Sequence, residues 1–231
     1  MNAAESMTHA ERIDRAAKDL FIAIRYGGTM DEVSKALADG APVSGINHQN
    51  RGLRMTPLMI AASLSNHEAC SALIEAGADL HEEDDEGWEA ASYAARQANV
   101  ETLKAFIDAS PLTQAKCTTL LHHACNNGNV ENTVFLISLG ACARAKTDGH
   151  DAMMHAAIFG NFECAIAVLV AGGDPSAKNP EGLTALEICR AEGNDFAANK
   201  LEAAIYAFEQ SREIAACAPR AAGGATRRSR L

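Results

Sequence analysis

The residues best suited to do chemistry lie in one short segment, LHHAC. It places His122, His123 and Cys125 together, and His155 follows His123 by 32 residues. Imidazole nitrogens and thiolate sulfurs are common zinc ligands, and a zinc site needs about four ligands in a tetrahedral arrangement. One interpretation of the segment is therefore a metal-dependent hydrolase that uses His122, His123 and His155.

No other catalytic motif accompanies these histidines. The chain contains no Gly-rich phosphate loop, no GxSxG nucleophile elbow and no HExxH helix. Its seven cysteines are odd in number and form no CxxC pair, which favours reduced thiols with packing roles. We therefore expect no catalysis, no metal and no cofactor, and the hydrolase is the alternative interpretation.

The composition narrows the class of protein. Of the 231 residues, 48% are hydrophobic, yet only 5% are aromatic and 47 are Ala. So many small apolar residues argue against disorder and against a core of bulky aromatic side chains, and they favour closely packed helices. The charged N-terminal segment and the lack of a long apolar run predict a cytoplasmic protein with no secretory signal and no membrane span.

Charge is distributed unevenly along the chain. The net charge is -10, while residues 211–231 hold five Arg against one Glu. We interpret these residues as a disordered basic tail, and the alternative is that they bind an acidic partner. The acidic remainder of the chain argues against a nucleic-acid surface.

Two landmarks recur along the chain at nearly the same interval. The first is an Asn after a small residue, found at Asn66, Asn99, Asn129, Asn161 and Asn194. The second is a triplet that begins with Gly or Ser, found at Gly40, Gly77, Ser110, Gly140 and Gly172. The intervals are 30 to 37 residues, and two series that step together indicate an array of repeated units.

Each unit is predicted to form a pair of helices. In the second unit, Thr56 can cap the first helix, and Pro57 suits its first position, where no backbone N–H is needed. Leu58 and Ala61 then lie on one helical face. Gly77 ends the second helix because glycine readily adopts a left-handed backbone, and a turn or finger-like loop is expected after it.

This pattern resembles the ankyrin repeat, which has a TPLHxAA motif, a Gly-Asn break and an LLxxGAD ending. The resemblance covers roughly residues 18–205, in about six units. It implies an all-α solenoid of stacked helix pairs joined by short loops or β-turn fingers. The expected domains are a helical cap at residues 1–17, the repeat domain at 18–210 and the tail.

The third unit departs from the ankyrin pattern. Glu89-Ala90-Ala91 replaces Thr-Pro-Leu, and Ser110-Pro111 replaces Gly-Ala. We therefore expect a shortened loop after this unit and irregular loops on both sides of the second unit. The fourth unit keeps the Thr of the motif at Thr119.

The resemblance implies protein binding through the concave face and the loop tips, as an adaptor or an inhibitor, and not catalysis. The family's partner-contact positions correspond here to Met55, Leu64, Asp85, Glu86, Trp88, Arg96, Gln97, Asn126, Asn127, His150, Ile158 and Phe159. Trp88 is the only Trp and is predicted to lie at an exposed tip, as expected of an interface anchor. The alternative is that Trp88 folds back to cap the irregular third unit.

Two further features have open interpretations. The acidic run HEEDDE, residues 81–86, is either a solvated turn or a surface that steers a basic partner or the chain's own tail. His123 and His155 occupy equivalent places in adjacent units, and their approach would make the array sensitive to pH.

Overall fold

The computed structural model describes residues 7–44, 54–97 and 99–217. Within these ranges the helices form six consecutive pairs: α1 (His9–Arg25), α2 (Met30–Ala38), α3 (Pro57–Ser63), α4 (His67–Glu75), α5 (Ala90–Arg96), α6 (Val100–Ala109), α7 (Gln114–Asn127), α8 (Val130–Ser138), α9 (Ala152–Ile158), α10 (Phe162–Val170), α11 (Ala185–Ala191) and α12 (Asp195–Cys217). A two-stranded antiparallel hairpin, β1 (Lys146–Thr147) and β2 (His150–Asp151), precedes α9.

The pairs stack in two layers. The odd-numbered helices pack in sequence from α1 to α11, and the even-numbered helices pack in sequence from α2 to α12. Each unit therefore contacts chiefly its neighbours, as in a solenoid. The predicted all-α array of stacked helix pairs is confirmed.

Small residues allow this close stacking. A pair of Ala or Cys residues near the C-terminal end of each of four first helices is fully buried, at Ala61, Ala62, Ala94, Ala95, Ala124, Cys125, Ala156 and Ala157. Side chains of this size let adjacent helix backbones approach at the short end of the usual packing distance. Part of the high alanine content of the chain therefore serves this stacking.

Local capping explains where the helices begin. The Thr56 hydroxyl accepts a hydrogen bond from the Met59 N–H at 3.1 Å, and Pro57 occupies the first turn of α3, as predicted. Thr8, Thr29 and Thr184 cap α1, α2 and α11 in the same way. Thr thus caps the first helix of the first, second and sixth units and the second helix of the first unit.

Gly128 ends α7 at a place where the chain needs glycine for two reasons. Its φ of 74° is left-handed, and a Cβ placed there would lie 2.7 Å from the Asn161 side-chain oxygen. Asn161 in turn donates to the carbonyls of Cys125 and Asn126 at 3.0 Å. The close approach of Gly128 and Asn161 therefore joins the fourth unit to the fifth.

The loop after the third unit is short, as expected, but the helix that follows is longer than the pattern predicts. α7 begins at Gln114, capped by the Thr113 hydroxyl, and the finger-like loop is replaced by additional helical turns. Thr119 therefore does not cap the helix. It lies inside α7 and donates its hydroxyl hydrogen to the Ala115 carbonyl at 3.3 Å.

The predicted domain limits do not coincide with breaks in the chain. The limit between residues 17 and 18 falls inside α1, which buries both Ala16 and Leu20. Disorder from residue 211 does not hold for residues 211–217, because they continue α12, and residues 218–231 lie outside the described part. The predicted irregular loop before the second unit falls mostly on residues 45–53, which also lie outside it. Among the helices that the structure describes, none is both long and apolar enough to cross a membrane.

Candidate functional site

A row of aromatic, imidazole and amide side chains crosses three successive first helices, α5, α7 and α9. Tyr93, His123 and His155 occupy the same place in their helices, and Trp88 and His150 stand just before α5 and α9. The Trp88 ring lies 4.6 Å from the His123 ring and 5.5 Å from the Tyr93 ring, centroid to centroid. The repeat period therefore brings residues distant in sequence onto one surface.

Asp84 holds the loop that carries Trp88. Its side chain is 7% exposed, and one carboxylate oxygen accepts from the Trp88 and Glu86 N–H groups, both at 2.9 Å. The other oxygen accepts from the Tyr93 hydroxyl, and burial together with this hydrogen bond raises the pKa of Tyr93. Sequence reasoning missed this role, because Asp84 was treated as one member of an acidic run.

A second loop repeats this arrangement and could have revealed the role of Asp84. Asn179 stands five residues before the cap of α11, as Asp84 stands five residues before the cap of α5. Its side-chain oxygen accepts from the Leu183 N–H at 2.8 Å, and its backbone N–H donates to the Leu183 carbonyl at 2.9 Å. Aligning the two loops would have separated Asp84 from its acidic neighbours.

Trp88 is half-buried, between the two alternatives that the sequence allowed. It folds back onto Tyr93 and His123, and the guanidinium carbon of Arg96 lies over its ring, 4.8 Å from the centroid. Part of the indole still faces solvent. The contact with Arg96 is short enough for a cation–π interaction.

The histidines form a chain that differs from the predicted pairing. The ring that contacts His155 is His122, at 4.8 Å, and the His150 ring lies 5.9 Å from His155 on the other side. His155 Nδ1 is 3.0 Å from the Asn126 side-chain oxygen, to which it donates as the neutral tautomer. His122 Nδ1 is 2.8 Å from the Thr147 hydroxyl, which ties α7 to the β1–β2 hairpin.

Burial keeps these rings neutral. Loss of hydration lowers the pKa values of His122, His123 and His155 to about 4, and the positive charges of Arg96 and Lys116 further lower that of His123. Within the described residues, no three His, Cys, Asp or Glu side chains converge so as to hold a metal ion. The geometry therefore gives no support to the alternative hydrolase based on His122, His123 and His155.

The predicted partner-contact residues do not all lie on the surface. Met55 is only 4% exposed and packs in the core, so its prediction as an exposed contact is wrong. The side chain before the helix cap can point either toward the core or toward solvent. A flexible apolar side chain such as Met55 is stabilised by burial, so it points toward the core. Ile158 is half-buried against the core, and His150 is half-buried with its Nε2 3.3 Å from the Asn179 amide nitrogen.

The other predicted residues are accessible but fall into separate groups. Trp88, Arg96, Gln97, Asn126 and Asn127 cluster where α5 meets α7, because the Asn127 amide donates to the Arg96 carbonyl at 2.7 Å. Leu64 and Phe159, at the ends of α3 and α9, are 46% and 60% exposed. Asp85 and Glu86 are exposed on the loop before Trp88, where Asp85 lies 3.8 Å from Arg54.

Asn132 is a further residue that sequence reasoning missed. It is fully buried on α8, and its amide donates to the Gln97 carbonyl at 2.7 Å and to the Ala94 and Ala95 carbonyls at 3.0 Å. These bonds fix the end of α5 and hence the backbone that carries Arg96. Buried polar side chains without a charge carry little signal in a single sequence.

Comparison with known proteins agrees with this geometry. A family model described as ankyrin repeats in three copies matches residues 20–116, 99–179 and 121–204. A solved ankyrin repeat domain from Acinetobacter baumannii AYE is 24% identical, with a TM-score of 0.61, over 80% of this chain and 96% of that one. A solved ankyrin repeat protein, EF0377, is 22% identical, with a TM-score of 0.63, over 80% of this chain and 97% of that one. Comparison with curated proteins found no match. The family model spans most of the described array, and the chain belongs to the ankyrin repeat family.

Proposed function

We propose that this chain is a non-catalytic module that binds a partner protein across the junction of α5, α7 and α9. Ankyrin repeats are generally protein-interaction modules. The observation that carries the proposal is the half-buried Trp88, which is stacked with Arg96 on a surface built by successive units. We call the cluster Trp88, Arg96, Gln97, His123, Asn126 and Asn127 the Trp88 surface.

The Trp88 surface is held in place before any partner arrives. Asp84 fixes the Trp88 loop, Asn127 and Asn132 fix the end of α5, and His155 orients the Asn126 amide. Ordering a mobile side chain on binding costs about 0.5–1.5 kcal/mol of binding free energy. Because the side chains of the Trp88 surface are already ordered, this cost is reduced and the partner binds more tightly. Tryptophan and arginine are also the residues most enriched among interface hot spots.

Exposed apolar side chains extend this surface along the array. Phe159, at the end of α9, is 60% exposed, and Leu64, at the end of α3, is 46% exposed. Both follow the first helix of their unit, as Gln97 does in its unit, and Asn127 is the last residue of α7. A partner segment that runs along the ends of the first helices would contact Leu64, the Trp88 surface and Phe159 in turn.

The acidic loop before Trp88 supports a partner with a basic segment. Within the described residues, Glu82, Glu83 and Glu86 form no ion pair, whereas Asp85 faces Arg54 and Glu89 pairs with Lys116. Uncompensated carboxylates attract a basic segment over a distance of about 10 Å at moderate salt and mainly raise the association rate. Glu82, Glu83 and Glu86 would then orient the partner as it arrives.

Two roles follow from where a second partner binds. If residues 211–231 bind an acidic partner while the array holds another protein, the chain is an adaptor. If the array alone occludes its target, the chain is an inhibitor. In either case we place the protein in the cytoplasm, since its buried cysteines are free thiols in the described residues.

Affinity capture with matched variants tests the proposal. The full chain and the double variant Trp88→Ala, Phe159→Ala are compared with a control, Val134→Ala, Val170→Ala, which removes two exposed side chains from the even-numbered layer. We expect a partner to be retained by the full chain and the control and lost by the Trp88 variant, since removing one hot spot costs about 2 kcal/mol or more. Equal retention by all three proteins, with matching circular dichroism, would contradict the proposal.

A further inference from the structure

The Arg96 guanidinium is a half-buried cation that no carboxylate of the described residues pairs with. No ion pair to Arg96 occurs within residues 7–44, 54–97 and 99–213, although Lys116 pairs with Glu89 on the same side of the array. The Trp88 ring covers one face of the guanidinium, at 4.8 Å. A guanidinium is planar and presents its N–H donors around its edge, so stacking on Trp88 leaves those donors available.

The imidazole beside Trp88 on α7 is uncharged. His123, whose ring packs on Trp88, is kept neutral chiefly by burial, and the positive charge of Arg96 further lowers its pKa. Within the described part of the chain, Arg96 therefore supplies one unpaired positive charge beside an aromatic wall, although Asp84 and the loop before Trp88 are acidic.

We propose that Arg96 anchors a side-chain carboxylate, from an Asp or Glu of the partner protein, at a subsite formed by its guanidinium and the Trp88 ring. A carboxylate fits because its two oxygens match the parallel N–H donors of a guanidinium, and a half-buried, partly dehydrated site strengthens the pair. This inference rests on the proposed protein-binding function and specifies what that partner presents.

The subsite and the acidic loop together define the partner segment. Glu82, Glu83 and Glu86 precede Trp88, and Arg96 follows it, so the two charges lie on opposite sides of the ring in sequence. The partner segment therefore carries both signs, with basic side chains toward the loop and its carboxylate at Arg96. A uniformly acidic segment would be repelled by the loop.

The single Trp of the chain makes the subsite directly observable. The full-length protein, labelled with ¹⁵N, is titrated with N-acetyl-glutamate-N-methylamide and, separately, with its neutral counterpart N-acetyl-glutamine-N-methylamide. We expect a saturable shift of the Trp88 indole N–H signal with the glutamate probe, with a dissociation constant on the order of millimolar. The glutamine probe is expected to cause no saturable shift.

Three variants identify the anchor. Arg96→Gln is expected to weaken binding of the glutamate probe at least about tenfold. Arg96→Lys is expected to weaken it by less, since an ammonium keeps the positive charge but lacks the paired N–H donors of a guanidinium. Arg190→Gln, an exposed arginine on α11, is the control and is expected to bind as the wild type does. Equal shifts with both probes, or unchanged affinity in Arg96→Gln, would overturn the proposal.

A second measurement separates binding from a merely structural effect of Arg96. At pH 7 the probe carboxylate is ionised and the fold is at full stability, so the saturating glutamate probe is expected to shift the ring signals of His123, which packs on Trp88, in the NMR spectrum. Unshifted His123 ring signals at saturation would place the carboxylate elsewhere.

The two proposals fail in different ways. If neither probe shifts Trp88 selectively but partner capture still depends on Trp88 and Phe159, the carboxylate subsite is wrong and protein binding stands. If the glutamate probe binds through Arg96 but capture is insensitive to Trp88 and Phe159, the proposed protein-binding function is wrong.

Discussion

The Asn132 side-chain amide donates to the Gln97 carbonyl at 2.7 Å, and this bond fixes the end of α5 from the unit that follows it. Gln97 is extended, with φ -81° and ψ 158°, so α5 ends without the left-handed glycine that ends α7. In other units the Asn of the break has this role, as when Asn161 donates to Cys125 and Asn126. The third unit thus depends on its neighbour for its shape.

Replacing Asn132 should therefore destabilise the array more than replacing a surface Asn. Asn132→Ala removes the side-chain donor of the Ala95 and Gln97 carbonyls, which costs about 1–3 kcal/mol. Asn127→Ala is the control, because Asn127 is exposed and its single bond to Arg96 can be replaced by water; a loss of about 0.5 kcal/mol is expected. Urea denaturation measures both. Equal losses would mean that the Asn132 bonds add nothing beyond those of an exposed amide.

Acid should destabilise the fold through the buried imidazoles. His122 is 4% exposed, and its pKa is lowered from 6.5 to about 4, so the unfolded chain binds the proton more readily than the folded one. The contribution of His122 to stability is complete above pH 6.5 and is lost as the pH falls toward 4, by about 3 kcal/mol. The free energy of unfolding, measured by urea between pH 7.5 and pH 4.5, is expected to fall accordingly.

Replacing His122 tests whether this pH dependence of stability arises from its imidazole. His122→Gln cannot bind a proton and should flatten the profile, while His9→Gln, on the exposed surface of α1, should leave it unchanged. A His122→Gln profile as steep as that of the wild type would show that other groups, such as His123 and His155, dominate.

Asp84 should control the position of Trp88. Asp84→Ala removes the acceptor for the Trp88 and Glu86 N–H groups and for the Tyr93 hydroxyl, so the loop should loosen, at a cost of about 1–3 kcal/mol. Trp88 fluorescence should shift to the red and become easier to quench with acrylamide. Asp84→Asn keeps an acceptor, as Asn179 does in the equivalent loop, and should retain most of the native spectrum. Identical quenching of Asp84→Ala and wild type would contradict this role.

A pair of glycine variants should separate backbone strain from close packing. In Gly128→Ala the new Cβ lies on a left-handed backbone with φ of 74° and also collides with the Asn161 side chain. In Gly140→Ala the backbone is left-handed as well, with φ of 91°, but no atom lies near the new Cβ. The left-handed conformation costs an alanine about 1–2 kcal/mol, and Gly128→Ala should cost measurably more. Thermal denaturation of the two variants gives the comparison. If Gly140→Ala loses as much stability, the junction with Asn161 tolerates a side chain.

The periodic features of the fold were predictable from the sequence because small residues, caps and break residues recur in register. Thr56, the alanine pairs and the helix pairing all follow from that period. Features that depart from the period were not predictable. The chain between α6 and α7 is too short for a finger-like loop, and α7 is therefore extended at its N-terminal end. Thr119 consequently lies inside the helix and does not cap it. A motif position predicts where a residue stands, not what contacts it makes.

The candidate site was predictable to a similar extent. The repeat register predicted that Trp88, Arg96, Asn126 and Asn127 lie on one surface. In the structure, the Arg96 guanidinium lies over the Trp88 ring and the Asn127 amide donates to the Arg96 carbonyl. Met55 occupies the same motif position as Trp88 but is buried. The conformation of the loop before each helix determines whether the side chain at this position points toward the core or toward the surface. Asp84, a buried member of an otherwise exposed acidic run, could not be recognised from composition or charge.

The early start of α7 gives the array an uneven edge. A loop precedes α5 and a hairpin precedes α9, but between them a helix begins directly after three residues that follow Ser110. α7 begins ten residues before its buried Ala124-Cys125 pair, whereas α5 and α9 begin four residues before theirs. At 1.5 Å per residue, the six additional residues extend α7 by about 9 Å, so its first turns occupy the space between the two projections. A partner that approaches from the loop side therefore meets the N-terminal turns of a helix at the fourth unit, where the third and fifth units present a loop and a hairpin.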